Sequence, residues 1–98
     1  MSAAYSKQQL SRYDGTDPDE PILIAVGGNV FDVTSGRRFY GPEGPYHCFA
    51  GKACTRALAR WSLDPDDISD EGVTDEERRQ AVSIYADKYP VVGHLKTA

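Results

Sequence analysis

The sequence is poor in several things, and each shortage excludes something. Its 98 residues include two cysteines, two histidines, one methionine and one tryptophan. Cys48 and Cys54 fit neither a CxxC pair nor a zinc-ligand spacing, and two thiols are too few for a disulfide framework. A reducing compartment is expected. No apolar run approaches the ~20 residues of a membrane span. The longest, "ILIAV" at residues 22–26, has the length of a strand. The N-terminal stretch lacks the charged and apolar regions of a signal peptide, so a soluble, cytoplasmic protein is expected. Basic excess is also missing. The net charge is −4 and the pI about 5.0, which argues against nucleic acid as a partner. There is no acid pair, nucleophile motif or phosphate-binding loop, and Gly27-Gly28 lacks the GxGxxG spacing. An enzyme is not expected.

What is present reads as one small domain. Ser6, with Gln9 three positions on, can cap a short helix that presents Leu10 and Tyr13 and stops at Gly15. "ILIAVGGNVFDVT" predicts a hairpin turning at Gly27-Gly28-Asn29. The unbroken apolar stretch before that turn predicts a strand covered on both faces. After Gly51, Cys54, Ala57, Leu58 and Trp61 follow the spacing of one buried helical face, with Arg56 and Arg60 opposite. Thr74 and Glu77 form a capping box for a helix running to about Lys88, with Ala81, Ile84, Tyr85 and Lys88 on one stripe. Pro90 stops it, and "VVGHL" predicts a last strand rejoining the sheet. Helix, hairpin, loop, helix, helix, strand make an α+β domain.

The chemistry concentrates in "FYGPEGPYHCFAG", residues 39–51. Three glycines and two prolines surround four aromatic residues, Phe39, Tyr40, Tyr46 and Phe49. Tyr46, His47 and Cys48 are each potential iron donors, since haem iron accepts histidine, thiolate, methionine or tyrosine. Tyrosine serves once deprotonated, which ferric iron and nearby hydrogen-bond donors or cations favour. Tyr40, Lys88 and Tyr89 can supply such help, or can simply pack the loop and end the helix. In an extended segment His47 would point away from Tyr46, whereas Cys48 would share its side. His94 has no partner at a useful spacing. The basic cluster Arg37, Arg38, Lys52, Arg56 and Arg60 suits an anionic ligand or a solvated surface.

"VFDVTSGRRFYGPEGPY", then "FAGK", "TRALA" and "KYPVVGHL", resembles the membrane-associated progesterone receptor family, within the cytochrome b5-like haem/steroid-binding domains. The resemblance spans residues 6–95. It implies an α+β cytochrome b5-like fold, with a small sheet and helices framing a hydrophobic pocket. Ordinary cytochrome b5 domains clamp iron between two histidines, one in an HPGG motif; here the loop reads "GPEGPY" and has none. In the resembled branch the tyrosine matching Tyr46 ligates ferric haem b. Positions matching Tyr40, Lys88 and Tyr89 hydrogen-bond the haem propionates or that tyrosine. Arg37 and Arg38 are basic neighbours in sequence. His47 and Cys48 depart from the small or apolar residues of the family pattern, and both remain alternative donors.

Further expectations come with the resemblance. Ligation from one side leaves the other haem face open to a small ligand or to a second protomer, giving a homodimer. Phenolate favours ferric iron, so electron shuttling is not expected. The implied function is haem-dependent regulation of a partner such as a sterol-processing haem-thiolate monooxygenase. The alternative is a steroid- or lipid-binding protein, or an interaction module, acting without haem. Many relatives carry an N-terminal anchor. This chain resembles the short soluble subset, which would reach the endoplasmic reticulum membrane through a partner.

Overall fold

The hairpin forms where the glycine pair predicts it. In the computed structural model, which describes residues 3–96, β2 (Leu23–Val26) and β3 (Asn29–Asp32) pair antiparallel, Leu23 opposite Asp32 and Val26 opposite Asn29. Gly27 and Gly28 have φ of 60° and 84°, the double positive φ of a two-residue turn matched to strand twist. Asn29, expected within the turn, begins β3 instead.

β4 (Val91–Leu95) lies antiparallel to β3, with a register shift between Val30 and Phe31. On its other edge runs β1 (Ala3–Tyr5), parallel to it, Ala3 opposite Gly93. The sheet order is therefore β1-β4-β3-β2. No local pattern in the sequence points to β1. Three residues, Ala-Ala-Tyr, carry no alternation, and their ladder partner lies at the far end of the chain.

Alternation along β2 divides the core in two. Ile22, Ile24 and Val26 join Phe31, Tyr40, Phe49, Ala57 and Ala81 on one face. Leu23 and Ala25 join Leu10 and Val30 on the other. This explains "ILIAV": every residue of it is buried, as expected for a strand covered on both sides. The outer edge of β2 is also satisfied. Gly51 N–H donates to the Leu23 carbonyl at 2.7 Å, Ala25 N–H to Lys52 at 3.0 Å and Cys54 N–H to Ala25 at 3.0 Å.

Both capping boxes are present. Ser6 and Gln9 open α1 (Lys7–Leu10), and Thr74 and Glu77 open α4 (Asp75–Ala86), with reciprocal bonds of 2.9 and 3.0 Å in each. Asp75, Glu76 and Glu77 in the first turn of α4 complement its dipole. A short α2 (Arg37–Tyr40), not anticipated, interrupts the expected loop.

α3 (Thr55–Ala59) is tied to the hairpin by a buried hydroxyl. Thr55 Oγ1 accepts from Gly27 N–H at 2.8 Å and donates to the Asp70 carboxylate. Arg56 ion-pairs with Asp67 at 3.3 Å and donates to the carbonyls of Asp66 and Glu71. Arg60 donates to the Gly72 carbonyl at 2.7 Å. These two arginines thus hold the acidic 64–73 segment, which accounts for them without an anionic ligand. One expectation for α3 fails. Cys54 and Ala57 are buried and Leu58 packs against the core, but Trp61 is 81% exposed. The helix ends at Ala59, so the helical spacing does not extend to Trp61.

Candidate functional site

Three parts of the chain converge on one cleft of about 320 Å³, within the size range of small-molecule sites. α2 supplies Tyr40 at its C-terminal end. The following loop folds tightly, Gly44 N–H donating to Gly41 at 2.9 Å and Tyr46 N–H to Phe39 at 2.8 Å. This return brings the Tyr46 ring to 6.0 Å from Tyr40, and it stacks on Phe49 at 6.0 Å and 19°. The end of α4 supplies the opposite set: Tyr85, Lys88 and Tyr89. Its hydrogen bonding runs past Ala86, Tyr89 N–H reaching the Tyr85 carbonyl at 2.8 Å. Ala57, Leu58, Ala81 and Ile84 contribute apolar walls.

All four residues singled out in the sequence, Tyr40, Tyr46, Lys88 and Tyr89, line this cleft. Tyr89 packs edge-on to Tyr40, with ring centres 6.1 Å apart. Its hydroxyl occupies the space a Cβ at Gly36 would need, only 2.7 Å away. A side chain at position 36 would therefore displace it. Tyr85, expected only on one stripe of α4 with Ala81, Ile84 and Lys88, belongs to the cleft as well. Its hydroxyl meets that of Tyr40 at 2.5 Å. The available signal was its position one turn before Tyr89 and one turn after Ala81.

The phenols are not equivalent. Tyr40 is 5% exposed, whereas Tyr46 is 40% exposed. Burial pushes Tyr40 up to about 12 from the ordinary 10.0. Burial and the hydrogen bond to Tyr40 push Tyr85 higher still. Both are thereby held as neutral hydrogen-bonding groups.

This has a consequence for stability. Above pH 10 the unfolded chain loses phenolic protons that the folded chain keeps, so stability present below pH 10 is lost as pH rises toward 12. Melting temperature is expected to fall through that window, and less steeply in Tyr40→Phe. Identical profiles for the two proteins would contradict this assignment.

The alternative donors are placed elsewhere. Residues 47–49 form a 3-10 turn, not an extended segment, so the expected alternation of sides does not apply. His47 Nε2 lies 3.1 Å from the Asp14 carbonyl, to which it donates. Cys48 packs against the main core, and neither residue lines the cleft. His94 is exposed on β4, opposite Asn29. Arg37 and Arg38 also stand outside the cleft lining; the Arg38 guanidinium lies 5.9 Å from the Phe39 ring centre.

A profile of the family described as Cytochrome b5-like Heme/Steroid binding domain matches residues 6–96. The chain belongs to this cytochrome b5-like family. It is 44% identical over 96 residues to Probable steroid-binding protein 3 of Arabidopsis thaliana, covering 93% of this chain and 96% of that protein. Membrane-associated progesterone receptor component 2 of Homo sapiens is 43% identical over 99 residues, covering 93% of this chain but 44% of the human protein. Membrane steroid-binding protein 1 of Oryza sativa is 52% identical over 64 residues, covering 65% of this chain and 28% of the rice protein. The chain thus spans less than half of these two longer relatives.

Solved structures carry the same cytochrome b5-like fold. One from Arabidopsis thaliana, described as having a cytochrome b5-like fold, superposes with a TM-score of 0.82 at 42% identity, covering 98% of this chain and 93% of its own. A solution structure from Arabidopsis gives 0.89 at 41% identity, covering 99% and 100%. The membrane-associated progesterone receptor proteins are thus relatives of this cytochrome b5-like chain. Among the described residues no helix is long and apolar enough to cross a membrane.

Proposed function

We propose that the chain is a haem-binding regulatory protein in which Tyr46 would be the single protein ligand of ferric haem b. One observation carries this reading: Tyr46 shares a single apolar-walled cleft with Tyr40, Lys88 and Tyr89, while His47 and Cys48 do not line it. The donor chemistry fits haem. A phenol stands over apolar walls, neutral hydroxyls lie beside it, and an ammonium at the rim suits a carboxylate.

Haem, when bound, supplies an iron that a phenolate stabilises in the ferric state. The chain's own residues do the rest. Tyr46 would provide the phenolate oxygen. Tyr40, kept protonated by burial and paired with the Tyr85 hydroxyl, would be available as a hydrogen-bond donor to that oxygen. Tyr89 and Lys88 would hold the propionates. Ala57, Leu58 and Ala81 exclude water from the walls. The protein performs no reaction of its own. It would signal haem occupancy to a partner such as a sterol-processing haem-thiolate monooxygenase, or to a second copy of itself.

A steroid in the same cleft is the second reading, favoured by the apolar walls and by relatives named as steroid-binding proteins. Ferric haem titration followed by absorbance and electron paramagnetic resonance separates them. One equivalent of haem giving a high-spin tyrosinate spectrum is expected. A low-spin or thiolate spectrum would move the iron to His47 or Cys48. Absence of stoichiometric haem binding, with displacement of a labelled sterol, would leave the steroid reading.

A further inference from the structure

Trp61 is held where neither packing nor backbone preference explains it. α3 closes with a Schellman-type cap: Arg60 is the cap residue, and Ser62 N–H reaches back to the Ala57 carbonyl at 2.8 Å. The residue between them must turn left-handed, and glycine normally takes that position because any Cβ there crowds the backbone. Here Trp61 takes it, at φ 53°, and it is the only non-glycine residue with positive φ among the described residues. It is also the chain's single tryptophan and is 81% exposed. The fold gains little from the indole and accepts backbone strain to keep it there. Such strain concentrates at functional positions.

The strained residue lies at the cleft. Trp61 and Leu63, the latter 53% exposed, line it together with the exposed Tyr46 and Ile84. Four large side chains around one apolar opening are thus left facing water. A ligand that is flat and apolar would cover all of them at once, and an indole suits a flat π-surface.

We propose that Trp61 is a ligand-covering residue, its indole packing on a flat apolar ligand held beside Tyr46 and becoming buried only in the complex. This deepens the haem reading and rests on it.

A single tryptophan makes the test direct, because labelled protein shows one indole N–H resonance. Gallium protoporphyrin, a diamagnetic stand-in with a trivalent ion that accepts phenolate, is expected to shift that resonance and slow its exchange with water. In stopped-flow transfer of ferric haem to excess apomyoglobin, Trp61→Ala should release haem about tenfold faster. Trp61→Phe, which keeps an aromatic face, should stay within about threefold. Trp61→Gly should release haem as fast as the alanine variant while its ligand-free melting temperature stays at or above that of the wild type, since glycine suits the cap.

An indole resonance unmoved at saturating porphyrin, with unchanged release rates, overturns the proposal and leaves haem ligation by Tyr46 standing. A large fall in the ligand-free melting temperature of both Trp61→Ala and Trp61→Gly makes the residue structural, and also overturns it. A wild type that binds no haem stoichiometrically overturns the haem reading and this proposal together.

Discussion

Tyr46→Phe is expected to weaken ferric haem binding by more than about 100-fold, beyond the 10–100-fold typical for loss of an outer-shell partner of a metal site. The substitution removes one oxygen and leaves the ring. Stacking on Phe49 and packing against Tyr40 therefore persist. Tyr46 is 40% exposed and its hydroxyl has no hydrogen-bond partner among the described residues, so the melting temperature should change little. Binding is lost without loss of fold, which distinguishes a ligand from a packing residue. Tyr40→Phe and Tyr89→Phe should fall in the milder 10–100-fold range, about 1.4–2.7 kcal/mol, because they act on the haem or its ligand through hydrogen bonds. Absorbance titration of the three variants measures this series. Equal affinity for wild type and Tyr46→Phe would remove Tyr46 from the iron.

The largest effect on stability is expected at the hairpin turn. A Cβ at Gly27 would lie 2.4 Å from Val82 Cγ2 and 2.9 Å from Arg78 Cγ, both on α4. Gly27→Ala combines this overpacking, about 1–3 kcal/mol, with left-handed backbone strain of about 1–2 kcal/mol. A loss of about 2–5 kcal/mol should appear in urea denaturation. Gly28→Ala is the internal control. Its φ is also positive, but nothing lies within 4 Å of an added Cβ. Only the strain of about 1–2 kcal/mol remains there. The turn backs onto the helix that carries Tyr85 and leads into Lys88 and Tyr89, so Gly27→Ala should also weaken haem binding from outside the cleft. Equal destabilisation by the two alanines would mean that the turn does not bear on α4.

What could be read in the sequence followed from local chemistry. The capping boxes at Ser6 and Thr74, the glycine pair of the hairpin and the continuous apolar run of β2 each act within a few residues. The four cleft residues were legible through the family resemblance, and the structure brings them to one place. What was missed depends on distant parts of the chain or on a local exception. β1 is a strand only because β4 offers it an edge. Tyr85 faces the cleft because α2 brings Tyr40 to its hydroxyl. Helical spacing predicted Trp61 to be buried, but α3 stops two residues earlier and turns left-handed. His47 and Cys48 were assigned sides by strand alternation, which a 3-10 turn does not follow.

The order β1-β4-β3-β2 also bears on how the molecule comes to be assembled. The strand inserted between β1 and β3 is the last of the four to be synthesised. Until it emerges, β1 has no neighbour, and the ladder joining Ala3 to Gly93 must close a loop of nearly the whole domain. Contacts of such sequence separation slow folding. Tyr85, Lys88 and Tyr89 are synthesised just before that strand. A nascent chain thus presents the Tyr46 loop well before the opposite wall of its cleft exists, and a ligand arriving then would meet half a site.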